Sequence, residues 1–159
     1  MLRQFAERRK SIMQDDPQHY TRGTFLISSD RARLDLEATL RLLHNTPWGE
    51  TMLLCVLERA VANSVCFGVY TEERQIGFGR VVSDLATYAY LTDFVIEDSY
   101  RGQGLGKWLV ECVLSHPDFQ NLRRTSLVTM SAQRLYEPFG FTEGSGSLVY
   151  MEKREAAQE

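Results

Sequence analysis

The chain has 159 residues, of which 43% are hydrophobic and 25% charged, the composition of one globular domain able to bury a core without disulfide or metal staples. A formal net charge of −3 argues against a nucleic-acid partner, because proteins that bind a phosphate backbone carry a basic excess. No apolar run approaches the length of a membrane span, and Arg3, Arg8, Arg9 and Lys10 lie in a start that lacks the apolar core of a secretory leader.

Residues 1–22 are polar and weakly patterned, and read as a short helix or loose arm outside a domain spanning 23–153. "TFLIS" (24–28) is a strand candidate, after which Ser28, Ser29 and Asp30 offer N-cap chemistry to a helix with Leu36, Leu40 and Leu43 on one face. "NTPWG" (45–49) breaks that helix, with Trp48 either a core anchor or part of an acceptor pocket together with His44, Tyr88 and Tyr90. Leu53, Val56, Leu57, Ala60 and Val61 then follow the i, i+3, i+4, i+7, i+8 spacing of a second helix. The period changes at Val65. "VCFGVYT" (65–71) and "QIGFGRVV" (75–82) flank a polar turn as in a hairpin, and Gly68, Gly77 and Gly79 point to a bulge or a close backbone approach.

"AYLTDFVI" (89–96) is a further strand. Strict alternation puts Leu91, Asp93 and Val95 on one face and Tyr90, Thr92, Phe94 and Ile96 on the other, both apolar enough for a central position. Leu105, Trp108, Leu109, Cys112 and Val113 repeat the helical spacing, and His116-Pro117 stops it. A strand at 124–129, a short helix at 131–137 ended by Pro138 and Gly140, a last strand at 147–153 and a frayed tail at 154–159 complete the chain. This order of elements gives an α/β domain with a mixed sheet. Cys55, Cys66 and Cys112 are odd in number and sit in apolar runs, as reduced, buried thiols of a cytoplasmic protein do. His19, His44 and His116 stand alone, so no metal-ligand set is expected.

The stretch Arg101-Gly102-Gln103-Gly104-Leu105-Gly106-Lys107 lies between a strand and a helix, where backbone N–H groups without intrahelical partners can converge on an oxyanion. Its spacing excludes two common phosphate loops. A P-loop would need glycine at Arg101 and a hydroxyl at Trp108, and a dinucleotide fingerprint would need glycine at Lys107 or at Leu109.

The segment "LTDFVIEDSYRGQGLGKWLVECVL" resembles the signature of the GCN5-related N-acetyltransferases (GNAT), whose core [QR]-x-x-G-x-[GA] reads here Arg101 to Gly106. "SAQRLYEPFGF" (131–141) resembles that family's later segment, and the likeness is clear from about Val65 to Phe141. Asp98 stands where many members have proline and Thr129 where asparagine is frequent; Pro138 is unusual in the later motif.

The resemblance implies a mainly antiparallel mixed sheet flanked by helices and an acetyl-CoA-dependent enzyme that acetylates a primary amine by direct attack, without metal. The same fold could instead serve as a non-catalytic acyl-CoA-binding module. A homodimer is compatible with either. By the same match acetyl-CoA would lie along the backbone of Phe94, Val95 and Ile96 with its pyrophosphate on residues 101–107. The Val95 N–H would polarise the thioester carbonyl, and Tyr136 would protonate the leaving thiolate. Asp93 is the first candidate for general base, because a carboxylate inside a buried strand needs either a task or a partner such as Arg80, with Glu97, Asp98 and Asp84, nearer strand ends, as competitors.

Overall fold

The computed structural model describes residues 16–144 and 149–153. Six strands form one sheet in the order β1-β2-β3-β4-β5-β6: β1 His19–Arg22, β2 Phe25–Ser28, β3 Val65–Tyr70, β4 Gln75–Ser83, β5 Tyr88–Ile96 and β6 Arg124–Leu127. Every neighbouring pair is antiparallel except β5 and β6, which run parallel. The helices are α1 Leu36–His44, α2 Leu54–Ala62, α3 Leu105–Ser115 and α4 Gln133–Tyr136, and a 3-10 turn at Glu137–Phe139 extends the last. The mixed, mainly antiparallel α/β architecture is the one expected.

Helices cover both faces of the sheet. On one, Leu105, Trp108, Leu109, Cys112 and Val113 of α3 pack against Phe67, Val69, Ile76, Val81 and Leu91. On the other, Leu42 and Leu43 of α1 with Leu57 and Val61 of α2 cover Cys66, Phe78 and Val95. Asp35 caps α1 by accepting from the Ala38 N–H at 2.8 Å, while Asp30 caps only the preceding 3-10 turn at Arg31–Arg33. The helix therefore starts one cap later than the sequence suggests.

Four local expectations are corrected. His19–Arg22, assigned to an arm or helix, forms β1, because the turn at Gly23 (φ +58°) folds it back onto β2; residues 1–15 lie outside the described set. The α2 stripe is narrower than its spacing predicts. Only Leu57 and Val61 are buried, Leu53 and Val56 are exposed, and Cys55, on the opposite side of the helix from Leu57, is an exposed thiol. Trp48 is exposed and anchors no core. Residues 149–153 do not form a strand; 145–148 and the 154–159 tail lie outside the described residues.

One further difference shapes the site. Phe78 pairs with Val95 and Arg80 with Thr92, so Asp93 and Phe94 together oppose Gly79 alone. This β-bulge inserts one residue, and one residue reverses the facing of everything beyond it. Leu91 thus joins the α3-side core and Val95 the α1/α2-side core, although alternation would place them together.

Candidate active site

A sheet edge opens where β5 outruns β6. Strand β6 pairs with Tyr88–Leu91 only, so among the described residues no strand lies beside Thr92–Ile96 on that side. Phe94, Val95 and Ile96, the three residues expected to carry the cofactor's amide arm, are in this segment, but the Glu97 N–H donates to the Ile76 carbonyl at 2.8 Å and Phe78 pairs with Val95, so by alternation the Val95 N–H belongs to the ladder with β4 and not to the open edge. Backbone N–H and C=O groups on such an edge are ready to pair with an extended ligand.

The glycine loop begins five residues beyond Ile96. Gly102 (φ +76°) and Gly104 (φ +78°) adopt left-handed backbone that side chains rarely tolerate, and Gly104 is the N-cap of α3 with no side-chain hydrogen bond. The first bond from the Gly104 carbonyl goes to the Trp108 N–H at 3.0 Å, so the N–H groups just before Trp108 have no helical partner. A Cβ at Gly102 or Gly104 would meet nothing within 4 Å, and one at Gly106 only Leu135 Cδ1 at 4.0 Å. The loop is therefore open on its outer side. Gln103 and Lys107 are exposed there, while Leu105 turns inward to the core. An uncapped helix start with accessible donors fits a pyrophosphate.

The Arg101 side chain has protein partners: its Nε donates to the Ile96 carbonyl at 3.0 Å and its Nη2 lies 2.8 Å from Asp98 Oδ1. Its side chain ties the loop to the end of β5. A second tie, which nothing in the sequence announced, comes from the β3–β4 turn. Arg74 grips the Glu97 carboxylate with both terminal nitrogens, one at 2.7 Å, and Ser99 Oγ donates to the same carboxylate at 2.9 Å. These hydrogen bonds pull the Glu97 carboxyl down to about 2.

Tyr136 is buried on α4 and packs edge-on against Phe94 (ring centroids 6.5 Å apart) and Phe141 (5.8 Å). Its hydroxyl makes no hydrogen bond with a described residue, and burial pushes the phenol up to about 12, so it holds its proton at neutral pH. Phe94 thus links the open edge to the tyrosine.

Asp93 has φ +60° and is buried at the bulge. Arg80 Nε lies 2.7 Å from its Oδ2 and Thr92 Oγ1 donates to its Oδ1 at 3.2 Å, which realises the arginine pairing that the sequence left open. No group of three or more His, Cys, Asp or Glu side chains that could hold a metal occurs among the described residues.

Comparison with known proteins places the chain in a family. The family model for the Acetyltransferase (GNAT) domain matches residues 62–143, a span that holds the open edge, the loop and Tyr136. A Gibberella zeae protein named "Putative acetyltransferase FG08082" is 30% identical over 76% of this chain and 80% of its own length. A solved GNAT-family structure from Xanthomonas campestris pv. campestris is 39% identical, covers 82% of this chain and 93% of its own, and superposes with a TM-score of 0.78. An Elizabethkingia anophelis GNAT acetyltransferase with acetyl-CoA bound shares the fold at 12% identity, covering 78% of this chain and 80% of its own with a TM-score of 0.62. With the domain matched across its site and a relative aligned over three quarters of its length, this chain belongs to the GNAT acetyltransferase family.

Proposed function

We propose that the protein moves the acetyl group of acetyl-CoA to a primary amine by direct attack. The observation that carries this reading is the junction of the open β5 edge at Thr92–Ile96 with the uncapped, glycine-lined start of α3. An extended amide chain ending in a pyrophosphate matches both halves of that junction. The outward-facing backbone groups within 94–96 pair with the pantetheine amides, and the N–H groups of residues 102–107 hold the pyrophosphate.

The chemistry then lies between β5 and α4. The amine nitrogen bonds to the thioester carbon, and a backbone N–H on the open side of β5 donates to the carbonyl oxygen as it becomes negative. A comparable donor contributes on the order of 3 kcal/mol in the transition state. Collapse of the tetrahedral intermediate breaks the C–S bond, and Tyr136 gives its proton to the departing sulfur. The proton released from the amine passes to water at the open side of the sheet. All three cysteines are free, which suits a reducing cytoplasm.

Calorimetry with acetyl-CoA, followed by thiol release across a panel of amines, tests this reading. Binding with release on at least one amine is expected, and acetyl-CoA should raise the melting temperature by mass action. Tight binding with no release on any amine would support an acyl-CoA-binding module instead.

A further inference from the structure

We propose that Asp93 is a positioning residue: its ion pair with Arg80 braces the β5 bulge, and the bulge sets the Phe94 ring against Tyr136 and fixes which backbone groups of 94–96 face the open edge. This refines the acetyl-transfer reading above and rests on it.

A non-glycine residue at φ +60° costs about 1–2 kcal/mol and persists only where its surroundings over-determine it. Those surroundings are visible here. The Arg80 and Asp93 side chains are only 15% and 7% exposed, and Arg80 Nη1 donates to Ser64 Oγ at 3.1 Å. Ser64 Oγ in turn donates to the Ala60 carbonyl near the end of α2 at 2.8 Å, and Arg31 Nη2 donates to the Ser64 carbonyl at 3.1 Å. The carboxylate is thereby tied through Arg80 and Ser64 to the end of α2. Cys66 and Tyr90 are the other titratable groups near the pair.

Gly79 supplies the space that the extra residue needs. A Cβ there would fall 3.2 Å from Leu109 Cδ2 and 3.3 Å from the Phe94 ring, closer than ordinary packing allows. Phe94 occupies that space and so reaches Tyr136, while Val95 turns its side chain to the α1/α2 face. A proton acceptor for an amine would need a carboxylate oxygen turned toward the cleft. Each Asp93 oxygen already has a donor, and both donors belong to β4 and β5.

Four variants decide between brace and base: Asp93→Asn, Asp93→Ala, Arg80→Met and the double Arg80→Met/Asp93→Ala. Each is read by kcat, by the pH-rate profile and by hydrogen exchange at the amides of 92–96. The brace predicts that Arg80→Met and Asp93→Ala each lower kcat by roughly 10- to 100-fold, the cost of about an ångström of misplacement, with the double variant no worse than the poorer single. Amide exchange at Val95 should rise in all three. Asp93→Asn keeps an oxygen for Arg80 and should stay within about 5-fold of wild type with its acid limb intact.

An Asp93→Asn enzyme that loses its acid limb while Arg80→Met stays near wild type would overturn the proposal, as would unchanged exchange in Arg80→Met. Should Asp93→Ala fail to fold, Asp93→Asn and Arg80→Lys carry the same comparison. If wild type releases no thiol on any amine, the acetyl-transfer reading fails, while exchange at 92–96 still decides the brace.

Discussion

The Tyr70 ring lies across the backbone of Gly68, two residues earlier on the same strand, so that a Cβ on Gly68 would fall 2.2 Å from the Tyr70 hydroxyl and 2.4 Å from Cζ. That hydroxyl is fully buried and has no hydrogen-bond partner among the described residues. An unsatisfied buried hydroxyl carries a desolvation penalty of about 1–3 kcal/mol. Tyr70→Phe should therefore raise stability by about 1 kcal/mol. Gly68→Ala should lower it by about 3 kcal/mol, since the ring has to leave its site. Urea midpoints at constant m-value check both, and a Tyr70→Phe protein less stable than wild type would refute the first.

Tyr136→Phe separates packing from proton transfer. The ring contacts with Phe94 and Phe141 survive the change, so the melting temperature should move little. If the hydroxyl protonates the thiolate, kcat should fall by about 100-fold or more. With the phenol pushed up to about 12, wild type should show no alkaline limb from this group below about pH 11. A kcat within a few-fold of wild type would remove Tyr136 from the mechanism.

The strands and the α3 helix were legible because their periods are regular: "QIGFGRVV" became Gln75–Ser83 and "AYLTDFVI" became Tyr88–Ile96 with shifts of one residue at an end. The open loop was legible because three glycines at a helix start have few other uses. The facing of Val95 was not, since it depends on the bulge at Asp93, and a bulge is set by cross-strand partners rather than by local pattern. Gly79 was the one local trace of it, read as either a bulge or a close approach. β1 was missed for a related reason: it is mostly exposed and is held by its pairing with β2 and by Arg22 stacking over Trp108 of α3 at 4.6 Å, and four polar residues show no such partner in advance.

Gly104→Val should act on acetyl-CoA before it acts on the acceptor. Left-handed backbone at φ +78° costs a β-branched residue at least about 1–2 kcal/mol, and the added side chain would stand in the open concavity. A Kd for acetyl-CoA weaker by about 10- to 100-fold is expected, which corresponds to about 1.4–2.8 kcal/mol. The acceptor KM at saturating acetyl-CoA should not change. Calorimetry and two-substrate kinetics distinguish this from general unfolding, and an unaltered Kd would remove the loop from the cofactor site.

Cys66 gives the fold an alkaline limit. Burial pushes its thiol up from 9.0 to about 12, so the unfolded chain loses this proton at lower pH than the native one. The unfolded state then binds fewer protons above pH 9, and stability falls as pH rises. The contribution is full below about pH 9 and is lost between about 9 and 12, at no more than about 1.4 kcal/mol per pH unit. Urea midpoints from pH 7.5 to 10.5 should decline for wild type and decline less steeply for Cys66→Ala. Equal slopes would show that the thiol is not the group responsible.

Arg74 and Glu97 lie 23 residues apart in sequence, yet they join the β3–β4 turn to the segment that leads into the glycine loop. The Arg74 guanidinium also lies 5.7 Å over the Tyr100 ring, which packs at right angles to Phe25. The two side chains are 50% and 30% exposed, so the pair adds little to global stability, as exposed ion pairs generally do. Its effect should be local. Arg74→Ala frees Glu97 and Ser99 and should raise the acetyl-CoA KM by about 3- to 10-fold through a less ordered loop, with kcat nearly unchanged, because uniform binding and not transition-state contact is lost. The swapped double variant Arg74→Glu/Glu97→Arg should recover part of that loss, and added salt should raise the wild-type KM more than that of Arg74→Ala. Glu97 is held low, so the clamp is intact above about pH 4.5 and releases only as pH falls toward about 2, outside the range of ordinary assays. A fall in kcat at unchanged KM would place Arg74 with the chemistry instead of with the loop.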